Sequence, residues 1–336
     1  MRTTFLALSA SFLACGSNNN TTADAPKSDA MVDAMGSGSA GFKQIQLPGE
    51  ANGLYWDGSA NALYFTVKVS GSGNAFAKWT DAGGIVDVAS LDAITGVDPG
   101  QIIKLADGSF VTPQFSTASG ISANNGLIQI AGSAATLLPE ALGSGSDDLP
   151  ANVDEYRSVG ITLGSDDETI YQVAFIKGSA AEGYVLKTSI AAGSAAQTIV
   201  AESGGATMIG KLVGIASQSD GSLIVTDQTY NTFWKVTPLG VVSTFVATYT
   251  HPDMLMELPN GDMLDGGGSG GSGRTQAINH ISADGTMVTL LPAITGLTFT
   301  YVAGMAYNAT NHRLFIDDQP GGGSGDLLDI IPYTAP

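Results

Sequence analysis

The stretch from 212 to 246, LVGIASQSDGSLIVTDQTYNTFWKVTPLGVVSTFV, reads as four short strands joined by tight turns. Val213-Gly214-Ile215-Ala216 opens the first strand. Asp220-Gly221 reverses the chain, because glycine accepts the positive φ that such a turn needs. Leu223 to Thr226 forms a second strand that stops at Asp227. Thr232 to Val236 forms a third with alternating faces, and Pro238-Leu239-Gly240 leads into a fourth at Val241 to Val246. A lone meander of this size cannot bury its apolar faces, so it needs copies of itself to pack against.

The copies are present. Gly53-Leu54-Tyr55-Trp56, Gly100 to Leu105, Gly160 to Leu163, Met254 to Leu258 and Gly304-Met305-Ala306-Tyr307 each start a run with the same order of strands and turns. The turns Asp107-Gly108, Asn260-Gly261 and Asp284-Gly285 recur at the expected places. The equivalent positions 53, 100, 160, 214, 254 and 304 lie 47, 60, 54, 40 and 50 residues apart, the length of a propeller blade. The sixth unit lacks a fourth strand, while a spare strand, Phe42 to Leu47, precedes the first unit. The expected fold is therefore an all-β, six-bladed propeller over 42–336, closed by the strand at about 42–47 completing the last blade. A sandwich or an open solenoid would not explain a strand missing at one end and spare at the other.

Composition agrees. Charged residues make up 13% and glycines number 44, which suits short strands and tight turns better than helices. The net charge of −18, from 31 acidic and 13 basic side chains, repels phosphate backbones, so nucleic acid is not expected as a partner. The acids are scattered, and solubility accounts for them. A single cysteine, Cys15, excludes an intrachain disulfide.

Met1 to Ala14, MRTTFLALSASFLA, pairs one arginine with a short apolar run and has the form of a signal peptide. It ends in Phe12-Leu13-Ala14-Cys15, which resembles the lipobox of bacterial lipoproteins. That resemblance implies cleavage before Cys15 and lipidation of its thiol, hence an extracytoplasmic domain partnered with a membrane through its anchor. Gly16, in place of an aspartate after the cysteine, points to the outer membrane. Residues 15–41, rich in Asn, Thr, Asp, Gly and Ser, read as a disordered tether, and the propeller domain as a monomer.

The strands GIASQSDGSLIVTD, WKVTPLG and VVSTF resemble an NHL-type repeat, and 42–335 as a whole resembles the six-bladed propellers grouped around gluconolactonases and the senescence-marker-protein family. In that group the residue before the inner-strand glycine faces the central mouth, and Glu, Asn and Asp there hold one divalent cation. The corresponding residues are Asn52, Pro99, Val159, Val213, Asp253 and Ala303. ANGLYW resembles the group's Glu-Gly-Pro-x-Trp signature with Asn52 for the glutamate, and HPDMLMEL resembles the stretch that supplies its aspartate, kept as Asp253. Asn52 and Asp253 are thus the metal candidates, and calcium the cation that such oxygens would suit. Two oxygen side chains make only a weak site, so neither a cofactor nor catalysis is expected. Asn52, Trp56, His251, Asp253 and Tyr301 are the candidates for lining a ligand-binding mouth; the alternative is that Trp56 and Tyr301 pack between blades while the polar groups hold water.

Other signals carry no chemistry. The tract Gly266 to Gly273 mimics dinucleotide and phosphate loops but lies between two strands, with no helix to present backbone N–H groups. Asp166-Asp167-Glu168 and Asp317-Asp318 read as solvated turns. His251, His280 and His312 fall in different units, without the spacing of a zinc cluster. The functional expectation is an extracytoplasmic lipoprotein with a propeller binding or scaffold domain, the alternative being a divalent-metal lactonase or esterase of the gluconolactonase type.

Overall fold

The structure is a computed structural model. It describes residues 41–69, 73–94, 100–114, 126–142, 156–176, 182–191, 194–204, 208–267, 278–291, 299–320 and 325–336, all of which belong to the unit Val32–Pro336. Cys15, the signal peptide, the tether to residue 40, Pro99 and the tract at 268–273 lie outside the described residues.

The described strands form six four-stranded antiparallel blades. Blade 1 is β2 (Glu50–Asp57), β3 (Ala62–Val69), β4 (Gly73–Thr80) and β5 (Gly84–Ser90). Blade 2 is β6 (Ile103–Lys104), β7 (Phe110–Pro113), β8 (Gly126–Ala131) and β9 (Ala134–Leu142). Blade 3 is β10 (Tyr156–Leu163), β11 (Ile170–Ile176), β12 (Gly183–Ala191) and β13 (Ser194–Glu202). Blade 4 is β14 (Leu212–Ser217), β15 (Leu223–Asp227), β16 (Thr232–Val236) and β17 (Val242–Val246). Blade 5 is β18 (Leu255–Glu257), β19 (Met263–Asp265), β20 (Asn279–Ile281) and β21 (Val288–Leu290). Blade 6 is β22 (Val302–Asn308), β23 (Arg313–Asp318) and β24 (Leu327–Pro332), completed by β1 (Lys43–Gln46).

β1 lies antiparallel to β24, with Lys43 opposite Ile330 and Gln46 opposite Leu327, so the first strand of the ring is the outermost strand of the last blade. Leu47, only 2% exposed, anchors it, and Gln44 Nε2 donates to Asp329 Oδ1 at 2.8 Å. The junction of blades 6 and 1 is a continuous apolar cluster that includes Leu47, Leu54, Phe65, Trp79, Phe315 and Leu328, with Trp56 stacked on Phe315 at 5.2 Å. Similar clusters fill the other junctions, so each blade buries both faces against its neighbours.

The hairpin turns follow the sequence. Gly108, Gly221, Gly261 and Gly285 take φ of +87°, +80°, +85° and +72°. The turn aspartates cap them: Asp107 Oδ1 accepts from Ser109 N at 2.9 Å, Asp220 Oδ1 from Ser222 N at 2.9 Å and Asp284 Oδ1 from Thr286 N at 3.0 Å. At Asp166-Asp167-Glu168, Asp166 likewise accepts from Thr169 N and Oγ1, at 2.8 and 2.7 Å, which holds its carboxyl down at about 2. Part of the negative charge is therefore turn chemistry.

The outer strands of blades 2 and 3, β9 and β13, are 9 residues long each. They join in parallel, Ala195 opposite Glu140 and Gln197 opposite Leu142, making one eight-stranded sheet. Each covers the other's exposed edge, and small residues such as the fully buried Ala195 let the backbones approach.

Candidate functional site

The inner strands β2, β6, β10, β14, β18 and β22 line the axis of the ring. Their glycines set its waist. A Cβ built on Gly53 would lie 2.1 Å from the carbonyl oxygen of Gly100, one on Gly100 2.0 Å from that of Val159, one on Gly160 2.6 Å from that of Val213, and one on Gly214 2.4 Å from that of Asp253. Only glycine permits this approach of backbone to backbone, which is why the residue recurs in the repeat. In blade 5 the buried Met254 takes the place of glycine.

Gln101 crosses the axis at the next level. Its Nε2 donates to Leu255 O of the opposite blade at 2.7 Å, and its Oε1 accepts from Ile161 N at 3.2 Å. One residue past the glycine position the other five blades carry Leu54, Ile161, Ile215, Leu255 and Met305. Gln101 is the polar exception in an apolar column, a signal already present in the register of the repeats.

Beyond Gln101, toward the C-terminal ends of the inner strands, lies a cavity of about 610 Å³. Its belt is the residue three past the glycine position in every blade: Trp56, Ile103, Leu163, Ser217, Glu257 and Tyr307. Glu257, solvent-exposed at the end of β18, opens into this space, and the protein atoms around it push its carboxyl up to about 7. Lys104 also lines it, with its ammonium already committed to Asp57 Oδ2 at 2.6 Å. This pairing raises the Lys104 pKa. Asp57 is held low by Lys104 and Ser59, which together outweigh its burial.

Asn52, His251, Asp253 and Tyr301 are not among the residues lining that cavity; they precede its lining residues in chain order, on the N-terminal side of the waist. Asn52, at the bulge of β2, receives Gln319 Nε2 at 3.5 Å, and Gln319 N donates to Tyr301 O at 2.8 Å, so Gln319 links these two. Tyr301 N in turn donates to Asp318 Oδ1 at 3.0 Å. His251 and Asp253 belong to a separate blade 5 network. His251 N donates to Asn231 Oδ1 at 3.0 Å, and Asp253 N donates to Asp265 Oδ1 at 2.9 Å. Asp265 is fully buried; it also accepts from Tyr249 Oη at 2.8 Å and Gly267 N at 3.0 Å, and burial still pushes it up to about 7. Trp56 stands apart from the other four, in the cavity belt.

The sequence reading of Asp317-Asp318 as a solvated turn is corrected here. Both are buried at the end of β23: Asp317 is 0% exposed, with neither carboxylate oxygen hydrogen-bonded. The alternation of β23 turns Asp317, like Phe315, inward at the junction with blade 1, and burial followed by Asp326, Asp318 and Asp329 raises its pKa well above the ordinary carboxylate range.

The residues do not fit the cation of the gluconolactonase group. Val159, Val213 and Ala303 bring no side-chain oxygen to the ring, and the 4%-exposed Asp253 is enclosed in blade 5. Among the described residues no group of three or more His, Cys, Asp or Glu side chains is placed to hold a metal ion.

No protein-family model matches the chain, and no curated protein matches it in sequence. Solved structures do match in shape. A gluconolactonase from Xanthomonas campestris superposes with a TM-score of 0.59 at 14% identity, over 87% of this chain and 90% of its own. Regucalcin, a calcium-binding protein from Agrobacterium tumefaciens, superposes with a TM-score of 0.57 at 13% identity, over 86% and 92%. At such identities the likeness is one of fold, and by fold this chain is a six-bladed propeller similar to the gluconolactonase and regucalcin structures.

Proposed function

We propose that the protein is an extracytoplasmic, lipid-anchored propeller that serves as a binding or scaffold module and not as a metal-dependent lactonase. The observation that carries this reading is the set of residues where a divalent cation would need oxygens: Val159, Val213 and Ala303 supply none, leaving Asn52 and Asp253 on blades that are not neighbours in the ring. A hard cation gains affinity from the number and charge of converging oxygens, and two do not suffice. The anchor rests on Ala14-Cys15 and the polar segment that follows. It places the ring at a membrane surface, the outer membrane by the residue after the cysteine, where a monomeric binding module would meet its ligand.

The test is metal analysis of the purified protein after dialysis, together with melting curves in millimolar calcium. The expected outcome is no stoichiometric metal, no calcium-dependent shift and no lactonase turnover above background. A calcium-dependent rise in melting temperature abolished by Asp253→Ala would move the metal hydrolase to first place.

A further inference from the structure

The cavity on the C-terminal side of the waist is not the mouth at which the resemblance to gluconolactonases implies a cation, and its chemistry is different. Its volume of about 610 Å³ is that of a small-molecule pocket. Gln101, tied to Leu255 and Ile161, spans the axis at the inner end of this cup.

The charge inside the cup is one-sided. Of its basic groups, Lys104 is neutralised by Asp57 at 2.6 Å and also touches Ser59 Oγ at 3.3 Å. Glu257 has no hydrogen-bond or ion-pair partner among the described residues, and the exposed Asp167 stands at the rim on blade 3. No cation within the lining is left to balance either. Blades 6 and 1 supply aromatic residues to the same belt as Glu257. Tyr307 of blade 6 and Trp56 of blade 1 follow it in the belt, and Tyr55 lies beside Trp56. Trp56 is stacked on Phe315 at 5.2 Å, and a cavity that holds a carboxylate and the remaining surface of electron-rich rings favours an organic ammonium over a neutral or anionic group. The net charge of −18 would raise the local concentration of such a ligand.

We propose that this cup is a binding site for a small organic cation, a primary or substituted ammonium carrying an apolar body, with Glu257 as its counter-ion and Trp56 and Tyr307 as its aromatic walls. The cation replaces the water around Glu257, and the apolar body lies against Leu163 and Ile103 on the far side of the belt. The titratable groups that line the cup with Glu257 are Tyr55 of blade 1, Lys104 of blade 2, paired with Asp57, Asp167 of blade 3, and Tyr307 of blade 6, whose hydroxyl lies 3.5 Å from His312 Nδ1. This inference rests on the binding-module reading only for the claim that the ring takes a ligand; the site itself is independent of the metal positions.

Benzylamine, benzyl alcohol and benzoate serve as probes of one shape and three charges, titrated into the full-length protein by calorimetry. Benzylamine should bind at least tenfold more tightly than benzyl alcohol, and benzoate not at all. Glu257→Gln should reduce benzylamine affinity about tenfold, leave benzyl alcohol unchanged and leave the melting temperature within a few degrees. Because Glu257 titrates near neutrality, benzylamine affinity should rise from pH 6 to pH 8 in the wild type and stay flat in Glu257→Gln. Equal affinities for the amine and the alcohol, absence of amine binding, or an unchanged amine affinity in Glu257→Gln would each overturn the proposal. These readouts are separate from calcium retention, so the cup can fail while the binding-module reading stands, and the reverse.

Discussion

At the residue scale, Asp317 is the side chain most at odds with its surroundings. Thr66 and Thr226 occupy the same place in blades 1 and 4, where Thr66 Oγ1 donates to Asn52 O at 2.5 Å and Thr226 Oγ1 to Asp253 O at 2.8 Å. In blade 6 a carboxylate stands there with both oxygens unsatisfied, beside Asp326, Asp318 and Asp329. A buried polar group without a partner costs about 1–3 kcal/mol, and a charged one more. Asp317→Thr should therefore stabilise the protein by about 1–3 kcal/mol, read from urea unfolding at pH 7; a loss of stability would show that the carboxyl holds something in place. The same blade, with blade 5, should make stability depend on pH. Burial pushes Asp265 up to about 7 and both Asp326 and Asp329 up to about 6, whereas an unfolded aspartate titrates near 3.9. The folded state thus holds protons that the unfolded state releases, so stability is present below about pH 4 and is lost as pH rises through 6 to 7. The unfolding midpoint should be higher at pH 5 than at pH 8, and Asp317→Thr should shrink the difference. A midpoint rising over that interval would contradict the burial of these carboxyls.

At the scale of the element, β1 decides whether the ring is closed. Its four residues pair with β24, Gln44 reaches Asp329, and Leu47 N donates to Asp326 O at 2.8 Å. Without it, β24 would present an open edge at the apolar junction of blades 6 and 1, with its own Leu328 and Ile330 in that cluster. Deletion of residues 1–40 should leave a folded monomer, while deletion of 1–48 should lower the melting temperature sharply or cause aggregation, measured by calorimetry and light scattering. Equal stability of the two truncations would mean that β1 is an accessory. The closure was legible because strand number can be counted in the sequence: three strands in the last unit and one extra before the first. The parallel join of β9 and β13 was not legible, because edge pairing between blades leaves no periodic pattern in either strand.

At the scale of the whole molecule, the prediction concerns where the ring is held. If Cys15 carries lipid, Cys15→Ser should move the protein from the membrane fraction to the soluble one; a soluble wild type with no lipid mass on Cys15 would refute the anchor. The sequence alone determined the number of blades, their order and the closing strand, because strand alternation, Asp-Gly or Asn-Gly turns and an inner-strand glycine are local properties that recur along the chain. It also determined that Val159, Val213 and Ala303, in register with Asn52 and Asp253, bring no side-chain oxygen to those positions. Tertiary structure decided what the register could not express. The glycines of blades 1 to 4 bring their inner strands onto the next blade's carbonyls, Gln101 reaches across the axis to Leu255, and together they divide the axis into two sides. That division sends Trp56 to one side with Glu257 and leaves Asn52, His251, Asp253 and Tyr301 on the other. It also turns Asp317 from an apparent surface turn into a buried acid, because whether a strand end meets solvent or a neighbouring blade depends on how the ring closes over it, and no property of the strand itself records that.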